Sequence, residues 1–183
     1  AKQEFVLDED GHLASCTVSR DFDYHGVEIA AHSFTLLHSP GHLYSTRIRR
    51  SMAFMLKSGN VADCDRGQIT FNNAGFLEAC RLTNTTPFGS ISCRGKNLVT
   101  FTPLGNLSAC RVNDAFHSPL LGSFEEGSSL GFHEDGSLRI GHLESPRVVG
   151  ALTIRGAFSL HPNGKMATAV LAAPWAFGNW NFR

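Results

Sequence analysis

The sequence has little tyrosine or tryptophan, no long apolar run and no excess of charge of either sign. Two residues are Tyr and two are Trp, whereas 14 are Phe. No stretch approaches the 18 or more consecutive apolar residues of a membrane-spanning helix, and the N-terminal AKQEF lacks the apolar region of a signal peptide. We therefore expect a soluble chain with no transmembrane segment. Whether a signal peptide once preceded residue 1 is left open.

The absence of net charge limits the class of partner. Sixteen basic residues balance sixteen acidic ones, so no broad positive field favours nucleic acid, which is not an expected partner. Hydrophobic residues make up 42% and charged residues 17%, as in folded proteins and unlike disordered ones. With 183 residues, the chain is expected to form one domain over 1–183.

Six stretches of the sequence align on one glycine, at intervals of 30, 34, 30, 31 and 28 residues. Turn-forming residues such as Ser-Pro and Pro-Asn precede the glycine, which predicts that it supplies the positive φ of a hairpin turn. The aligned windows are 5–18, 35–48, 69–82, 99–112, 130–143 and 158–171. The glycines are Gly11, Gly41, Gly75, Gly105, Gly136 and Gly164.

Three columns of this alignment are apolar in every copy, which predicts that they face the core. The column four residues before the glycine holds Leu7, Leu37, Phe71, Phe101, Phe132 and Leu160. The column two residues after it holds Leu13, Leu43, Leu77, Leu107, Leu138 and Met166. The column seven residues after it holds Val18, Ile48, Leu82, Val112, Leu143 and Leu171. Flanks rich in Val, Ile, Phe and Thr indicate β-strands.

The connections between the windows carry no helical periodicity and are too short for crossover helices, which argues against an α/β fold. A second glycine follows four of the windows and indicates a further short extended segment; these glycines are Gly26, Gly89, Gly122 and Gly150. We predict an all-β protein of about six hairpin repeats of roughly 30 residues, stacked as an elongated or curled antiparallel sheet or solenoid.

Two regions depart from the repeat. The irregular segment 49–68 contains FMLKSGNVADC, which suggests a truncated extra hairpin and a place for a functional deviation. The C-terminal segment 172–183 holds both tryptophans, Trp175 and Trp180. We interpret it as an aromatic cap over the last hairpin, with an exposed patch for a partner as the alternative.

The G-x-L-x-x-C-x-L hairpins resemble bacterial MORN-type and MORN-like hairpin repeats, including the variants in YwqK-type antitoxin components. The turn glycine and the hairpin plan carry the resemblance, whereas MORN units are shorter and richer in tyrosine. The resemblance implies an elongated, curved or twisted antiparallel sheet that binds proteins or lipid headgroups. It implies no catalytic residue.

The positions of three of the five cysteines are explained by the repeat rather than by a catalytic or metal-binding role. Cys16, Cys80 and Cys110 share the position five residues after the glycine, where other copies also have small residues. We expect buried thiols there, with a disulfide between neighbouring units as the alternative. No CxxC pair occurs, so no metal is expected. Cys64 and Cys93 lie outside the windows and are expected to be the more reactive thiols.

The positions of five histidines are also explained by the repeat, because they fall in two columns of the alignment. His38, His133 and His161 lie three residues before the glycine, on the face opposite the core column, and are expected to point to solvent. His12 and His42 directly follow the glycine. No spacing typical of metal ligands occurs, and we expect no cofactor.

The best candidate binding site is the column six residues after the glycine, which holds Arg47, Arg81, Arg111 and His142. Neighbouring copies would place three guanidinium groups in a row, suited to carboxylate or phosphate groups of a partner. The alternative is a solvated strand face whose charge is balanced by acids such as Glu78 and Asp114.

These observations favour a non-enzymatic binding or scaffold module that presents a sheet surface to a protein, glycan or lipid headgroup. One alternative is an enzyme with a site in a cleft near segment 49–68, using Cys64, Asp63, Asp65 and Arg66. Another is a structural component of the cell surface or envelope, with partners of its own kind at the sheet ends. No nucleophile elbow, phosphate loop or dinucleotide fingerprint occurs. Export from a bacterium, to the periplasm or beyond, is slightly favoured.

Overall fold

The computed structural model describes residues 5–38, 41–173, 175–177 and 180–182, with the backbone alone for the last two ranges. This part of the chain contains strands and no helix, which confirms the all-β prediction. No helix able to span a membrane is therefore found in the described ranges. The strands are β1 Phe5–Leu7, β2 Leu13–Thr17, β3 Phe22–Tyr24, β4 Val27–Ile29, β5 Phe34–His38, β6 His42–Ile48, β7 Met52–Met55, β8 Val61–Cys64, β9 Gly67–Phe71, β10 Leu77–Arg81, β11 Thr86–Phe88, β12 Ile91–Cys93, β13 Leu98–Phe101, β14 Leu107–Arg111, β15 Phe116–Ser118, β16 Gly122–Phe124, β17 Ser129–Phe132, β18 Leu138–Val149, β19 Leu152–Leu160, β20 Met166–Leu171, β21 Trp175–Phe177 and β22 Trp180–Phe182.

One antiparallel sheet runs through the molecule in the order β1-β2-β5-β6-β9-β10-β13-β14-β17-β18-β19-β20. Each aligned window contributes two neighbouring strands that turn at its glycine, and we call these pairs the main hairpins. They are β1–β2, β5–β6, β9–β10, β13–β14, β17–β18 and β19–β20. All six glycines have positive φ, for example 78° at Gly75, as the sequence predicts.

A second set of hairpins lies in the connections. We call them the short hairpins; they are β3–β4, β7–β8, β11–β12, β15–β16 and β21–β22. The pairing of β18 with β19 continues beyond the part of β18 that pairs with β17, and it ends in a similar hairpin turn at Gly150. The sequence predicted one extended segment per connection, whereas each of these connections forms two paired strands. Segment 49–68 is not exceptional, since it holds one of these short hairpins.

Short hairpins β7–β8, β11–β12 and β15–β16 pack on one face of the main sheet, which we call the core face; the opposite side is the outer face. Three ring pairs join a short hairpin to the main hairpin that follows it in sequence. These pairs are Phe54–Phe71, Phe88–Phe101 and Phe116–Phe132, with ring centroids 5.8, 5.2 and 5.7 Å apart. Burying each ring contributes roughly 1.5–3 kcal/mol. The short hairpins therefore supply part of the hydrophobic core, including Cys64, Phe88 and Phe124.

The three apolar columns are buried in the interior of the stack, whereas at its first hairpin only Val18 of the three is buried. The buried members of the column two residues after the glycine are Leu43, Leu77, Leu107 and Leu138. Leu7 and Leu13, in contrast, are 50% and 39% exposed, against the prediction that their columns face the core in every copy. The reason is that no described short hairpin covers the core face of β1–β2.

Two disulfides tie the layers together. Cys64 bonds to Cys80 and Cys93 bonds to Cys110, so each short-hairpin cysteine is linked to the main hairpin that follows. The expectation of buried thiols is wrong for Cys80 and Cys110, and the expectation that Cys64 and Cys93 are reactive is wrong as well. All four are buried in the core. Cys16 is the free cysteine among the described residues.

Candidate binding surface on the outer face

A row of mostly small side chains crosses the outer face, with Val6, Leu36 and Ile140 as its larger members. Thr70 marks its position, because it lies between the core residues Ile69 and Phe71 and so points the other way. Successive strand pairings continue the row across the whole sheet. Its members are Val6, Ser15, Leu36, Ser45, Thr70, Ala79, Thr100, Ala109, Gly131, Ile140, Ser159 and Thr168. We call this set the small-residue row.

A groove of about 820 Å³ opens over this row between β13 and β20. Thr100, Ala109 and Gly131 form part of its floor, with Arg111 and His142 beside them. The floor is low because its side chains are short. Gly131 is required there, since a Cβ atom at that position would lie 2.6 Å from the Cγ1 atom of Ile140.

The predicted cationic column lies beside the small-residue row on the same face. Arg81 stands between the buried residues Cys80 and Leu82, so its side chain points outward. The four residues of the column lie on alternate strands of the sheet, about 10 Å apart. They are Arg47 on β6, Arg81 on β10, Arg111 on β14 and His142 on β18. All four are exposed.

The three arginines of this column have no carboxylate partner within the part of the chain that the structure describes. The ion pairs found among the described residues involve other cations: His12, Arg49, Arg50 and Lys96. Glu78 and Asp114, which could have balanced the column, form no ion pair with it. The guanidinium groups of Arg47, Arg81 and Arg111 therefore retain their hydrogen-bond donors for a ligand.

A polar hollow of about 330 Å³ adjoins the groove, and Arg111 and His142 line both. Glu125, Glu126 and Arg147 also line the hollow. Arg147 is fixed by its guanidinium group, which donates to the carbonyl oxygens of Leu121 and Ser123 at 3.2 and 2.8 Å. Arg111 and His142 thus stand at the boundary between an apolar surface and a polar one.

Sequence reasoning found the cationic column but missed the small-residue row. The signal was present, because the column four residues after the glycine reads Ser, Ser, Ala, Ala, Ile and Thr. Small residues in strands are common where neighbours pack closely. Only the continuous pairing of twelve strands turns this column into one surface.

Two of the three histidines that lie three residues before the glycine are structural, which corrects the expectation that they point to solvent. His38 and His133 are half-buried, and their Nε2 atoms donate to the carbonyl oxygens of Phe71 and Leu160 at 3.1 and 3.0 Å. Each bond reaches the next main hairpin. His161, in the last main hairpin, is exposed as predicted.

The residues of the enzymatic alternative include no free thiol. Cys64 is bonded to Cys80. The Lys96 ammonium, 2.9 Å from Asp65, and the Ser51 hydroxyl hold the pKa of the Asp65 carboxyl below its usual value of 3.8. The end of short hairpin β7–β8 is therefore held in place by the Cys64–Cys80 disulfide and by the ion pair of Asp65 with Lys96.

One group of residues has the composition of a cation site. The side-chain ligand atoms of Asp8, Asp10 and His12 lie within 4.8 Å of one another. The carboxylate of Asp8 already accepts hydrogen bonds from the backbone N–H groups of Asp10 and His12. These bonds shape the first hairpin turn, and they account for the cluster without an ion.

The side chains of Trp175 and Trp180, proposed from the sequence as partner aromatics, lie outside the described residues; their backbone belongs to β21–β22. The same holds for the side chains of the predicted cap beyond residue 173. Comparison with protein-family models, with curated proteins and with solved structures finds no match. The functional argument therefore depends on the geometry of the outer face.

Proposed function

We propose that the protein is a non-enzymatic binding module whose outer face holds an extended segment of a partner protein. The observation that carries this proposal is the groove of about 820 Å³ with Arg111 and His142 in its lining, neither of which forms an ion pair with any described residue. An apolar floor favours apolar side chains of the partner, and the guanidinium groups favour acidic ones. We therefore expect a partner segment in which apolar and acidic residues alternate.

The groove fits a peptide better than a glycan or a lipid headgroup. The small-residue floor lets a backbone approach the sheet closely, whereas glycans stack on exposed aromatic rings, and the one phenylalanine that lines this groove, Phe158, is buried. A headgroup alone would occupy the polar hollow and leave the apolar groove empty. MORN-like repeats, which the hairpins resemble, are also expected to bind proteins.

The two disulfides support the view that the module works in an oxidising compartment. Periplasmic or extracellular sites are of this kind. Partner proteins exposed in the same compartment are therefore the ones to search.

The test uses labelled peptides that combine acidic and apolar residues, with vesicles of an anionic phospholipid and a glycan array as parallel probes. Arg111→Gln combined with His142→Gln is expected to weaken peptide binding by about tenfold or more, measured by fluorescence anisotropy, because both residues border the groove. Arg20→Gln serves as the matched control, since Arg20 is exposed and distant from the groove lining. Equal binding by all three proteins, or binding to vesicles or glycans alone, would refute the proposal.

A further inference from the structure

The polar hollow beside the groove lies at a place where two successive units of the stack differ. In one unit, the Lys96 ammonium lies 2.9 Å from the Asp65 carboxylate. In the next unit, Gly127 takes the position of Lys96, and Arg94 takes that of Asp65. Both replacements line the hollow. The hollow therefore opens where the preceding unit has an ion pair.

The backbone shows that these positions correspond. Lys96 and Gly127 each lie nine residues before the turn glycine of a main hairpin, have positive φ and donate their N–H group to a carbonyl oxygen of the preceding main hairpin. Asp65 and Arg94 each follow the disulfide-bonded cysteine of a short hairpin, and each donates its N–H group to the carbonyl oxygen of an arginine in the cationic column. The comparison therefore joins equivalent places in the fold.

The exchange removes an ion pair and leaves a cation in its place. Gly127 has no side chain to fill the space, and the Nη1 atom of Arg94 lies 3.3 Å from where a Cβ atom of Gly127 would stand. Among the described residues, neither Arg94 nor Arg111 has a partner for its guanidinium group. Both groups therefore keep their donors for a ligand in the hollow.

A third guanidinium group is held in a fixed position in the hollow. Arg147 donates to two carbonyl oxygens of short hairpin β15–β16 at 3.2 and 2.8 Å. Gly122 leaves room for it, since a Cβ atom there would lie 3.0 Å from its Nη1 atom. A guanidinium group has five N–H donors, and these bonds use only part of them. Arg94, Arg111 and Arg147 thus line one hollow from β14, β18 and the segment after β12.

Three carboxylates also line the hollow and limit the charge of a ligand; they belong to Glu125, Glu126 and Glu144. None of them forms an ion pair with a described arginine. Their negative charge disfavours a dianion such as a phosphate monoester, because like charges repel. A carboxylate carries one charge, and its two oxygen atoms match two parallel N–H donors of a guanidinium group. The hollow is therefore better suited to a carboxylate than to a phosphate group.

From these observations we infer that the polar hollow is a carboxylate site, which anchors the segment held in the groove. Arg111 and His142 line both the groove and the hollow, so one segment can occupy the two together. The carboxylate is that of the C-terminus of the segment or of an acidic side chain, and both present the same chemical group. The anchoring role rests on the proposed function, whereas binding of a free carboxylate does not.

The test transfers the ion pair of the preceding unit into the hollow. The double variant Arg94→Asp, Gly127→Lys should fold, because Lys96 has the same backbone conformation with a φ of 61°. Neither substituted residue lines the groove. Arg94→Gln alone is the second variant, and Arg20→Gln is the control, since Arg20 is exposed and lines neither the groove nor the hollow. Circular dichroism checks that each protein is folded.

Acetate and inorganic phosphate are the free probes, titrated at constant ionic strength and neutral pH. NMR follows the side-chain Nε–H signals of Arg94 and Arg111. We expect both signals to shift saturably with acetate, and phosphate to bind more weakly by about fivefold or more. Acetate binding should weaken by about tenfold or more in the double variant and in Arg94→Gln, and should be unchanged in Arg20→Gln.

Peptides that bind in the groove distinguish the two sources of the carboxylate. Each peptide is compared in its free-acid and C-terminally amidated forms, and with Glu and Gln at its acidic position. A terminal source predicts about a tenfold loss on amidation, and a side-chain source predicts the same loss on replacement of Glu by Gln. Either difference should disappear in the double variant, whose groove lining is unchanged.

Three results would overturn the inference. Absence of a saturable shift with acetate, or equal shifts of Arg111 in the double variant, would show that the hollow is not a carboxylate site. Tighter binding of phosphate than of acetate would assign it to another class of anion. Peptides that bind in the groove with no preference for either carboxylate would show that the hollow is no anchor. Failure of the proposed function has a different signature, because no peptide would bind while acetate still bound in the hollow.

Discussion

The sulfur atoms of Cys64 and Cys80 join the end of short hairpin β7–β8 to the second strand of main hairpin β9–β10. The Cys93–Cys110 disulfide repeats this connection one unit later, with Cα–Cα distances of 5.7 and 5.8 Å in the two bonds. Each bond lies beside an isolated antiparallel bridge between the same two layers, Cys64 with Leu82 in the first case and Cys93 with Val112 in the second. In the middle of the stack, a covalent bond therefore joins each of these two short hairpins to the main hairpin that it covers.

Removal of one disulfide should lower the free energy of unfolding. Cys64 and Cys80 are 16 residues apart, and a loop of this length corresponds to about 3 kcal/mol in the chain-entropy account. We expect a loss of this size in the double variant Cys64→Ala, Cys80→Ala, measured by urea unfolding. Cys16→Ala is the control and should change stability by much less. Equal losses in both proteins would contradict a role for the bond.

Substitution of His38 by Ala should destabilise the protein by about 1–2 kcal/mol, because a half-buried donor to the carbonyl of Phe71 is lost. His161→Ala is the matched control, since His161 occupies the same column and is exposed. Its expected effect is below about 0.5 kcal/mol. Thermal unfolding of the two variants in parallel gives the comparison. Similar effects would mean that the bond between hairpins adds little.

A methyl group at Gly131 should be destabilising by about 1–3 kcal/mol, since the new Cβ atom meets the Ile140 side chain. The clash involves one flexible neighbour, so Gly131→Ala combined with Ile140→Ala should recover part of the loss. A double-mutant cycle from urea unfolding measures the coupling. Additive effects would show that the two residues do not compete for the same space.

Lys96→Met should raise the pKa of the Asp65 carboxyl towards its usual value of 3.8, because the ammonium hydrogen bond is the largest cause of its lowering. The folded pKa is depressed, so the stabilisation from this carboxylate is present above pH 3.8 and is lost as pH falls through the folded value. NMR titration of the Asp65 side chain measures the shift. Ser137→Ala, which removes the hydroxyl that lowers the pKa of Asp135, should leave Asp65 unchanged.

Much of the fold could be predicted from local pattern. The turn glycines identify hairpins because few other residues adopt positive φ, and the apolar columns identify the core face because side chains alternate along a strand. Gly75, Phe71 and Leu77 behave as this reasoning requires. The cationic column was found in the same way, since Arg81 and Arg111 keep their outward direction in any sheet with this register.

The disulfide partners could not be predicted in this way. Cys64 lies outside the repeat alignment, and its distance from Cys80 depends on how the short hairpin folds back over the sheet. That fold depends on contacts such as Phe54 with Phe71, which connect separate layers. His38 was misjudged for the same reason, because its acceptor belongs to the next hairpin.

Repetition of one turn and three apolar columns therefore fixes the all-β class and the side of each strand that faces the core, because both depend on neighbours within a few residues. Which residues cover each face of a strand depends on the tertiary structure alone. It joins short side chains such as Ala109 and Thr100 into a groove, encloses Cys80 in a disulfide, and leaves Leu13 exposed although its column is buried elsewhere. Burial depends on which layer covers a residue, and that depends on residues far away in the sequence.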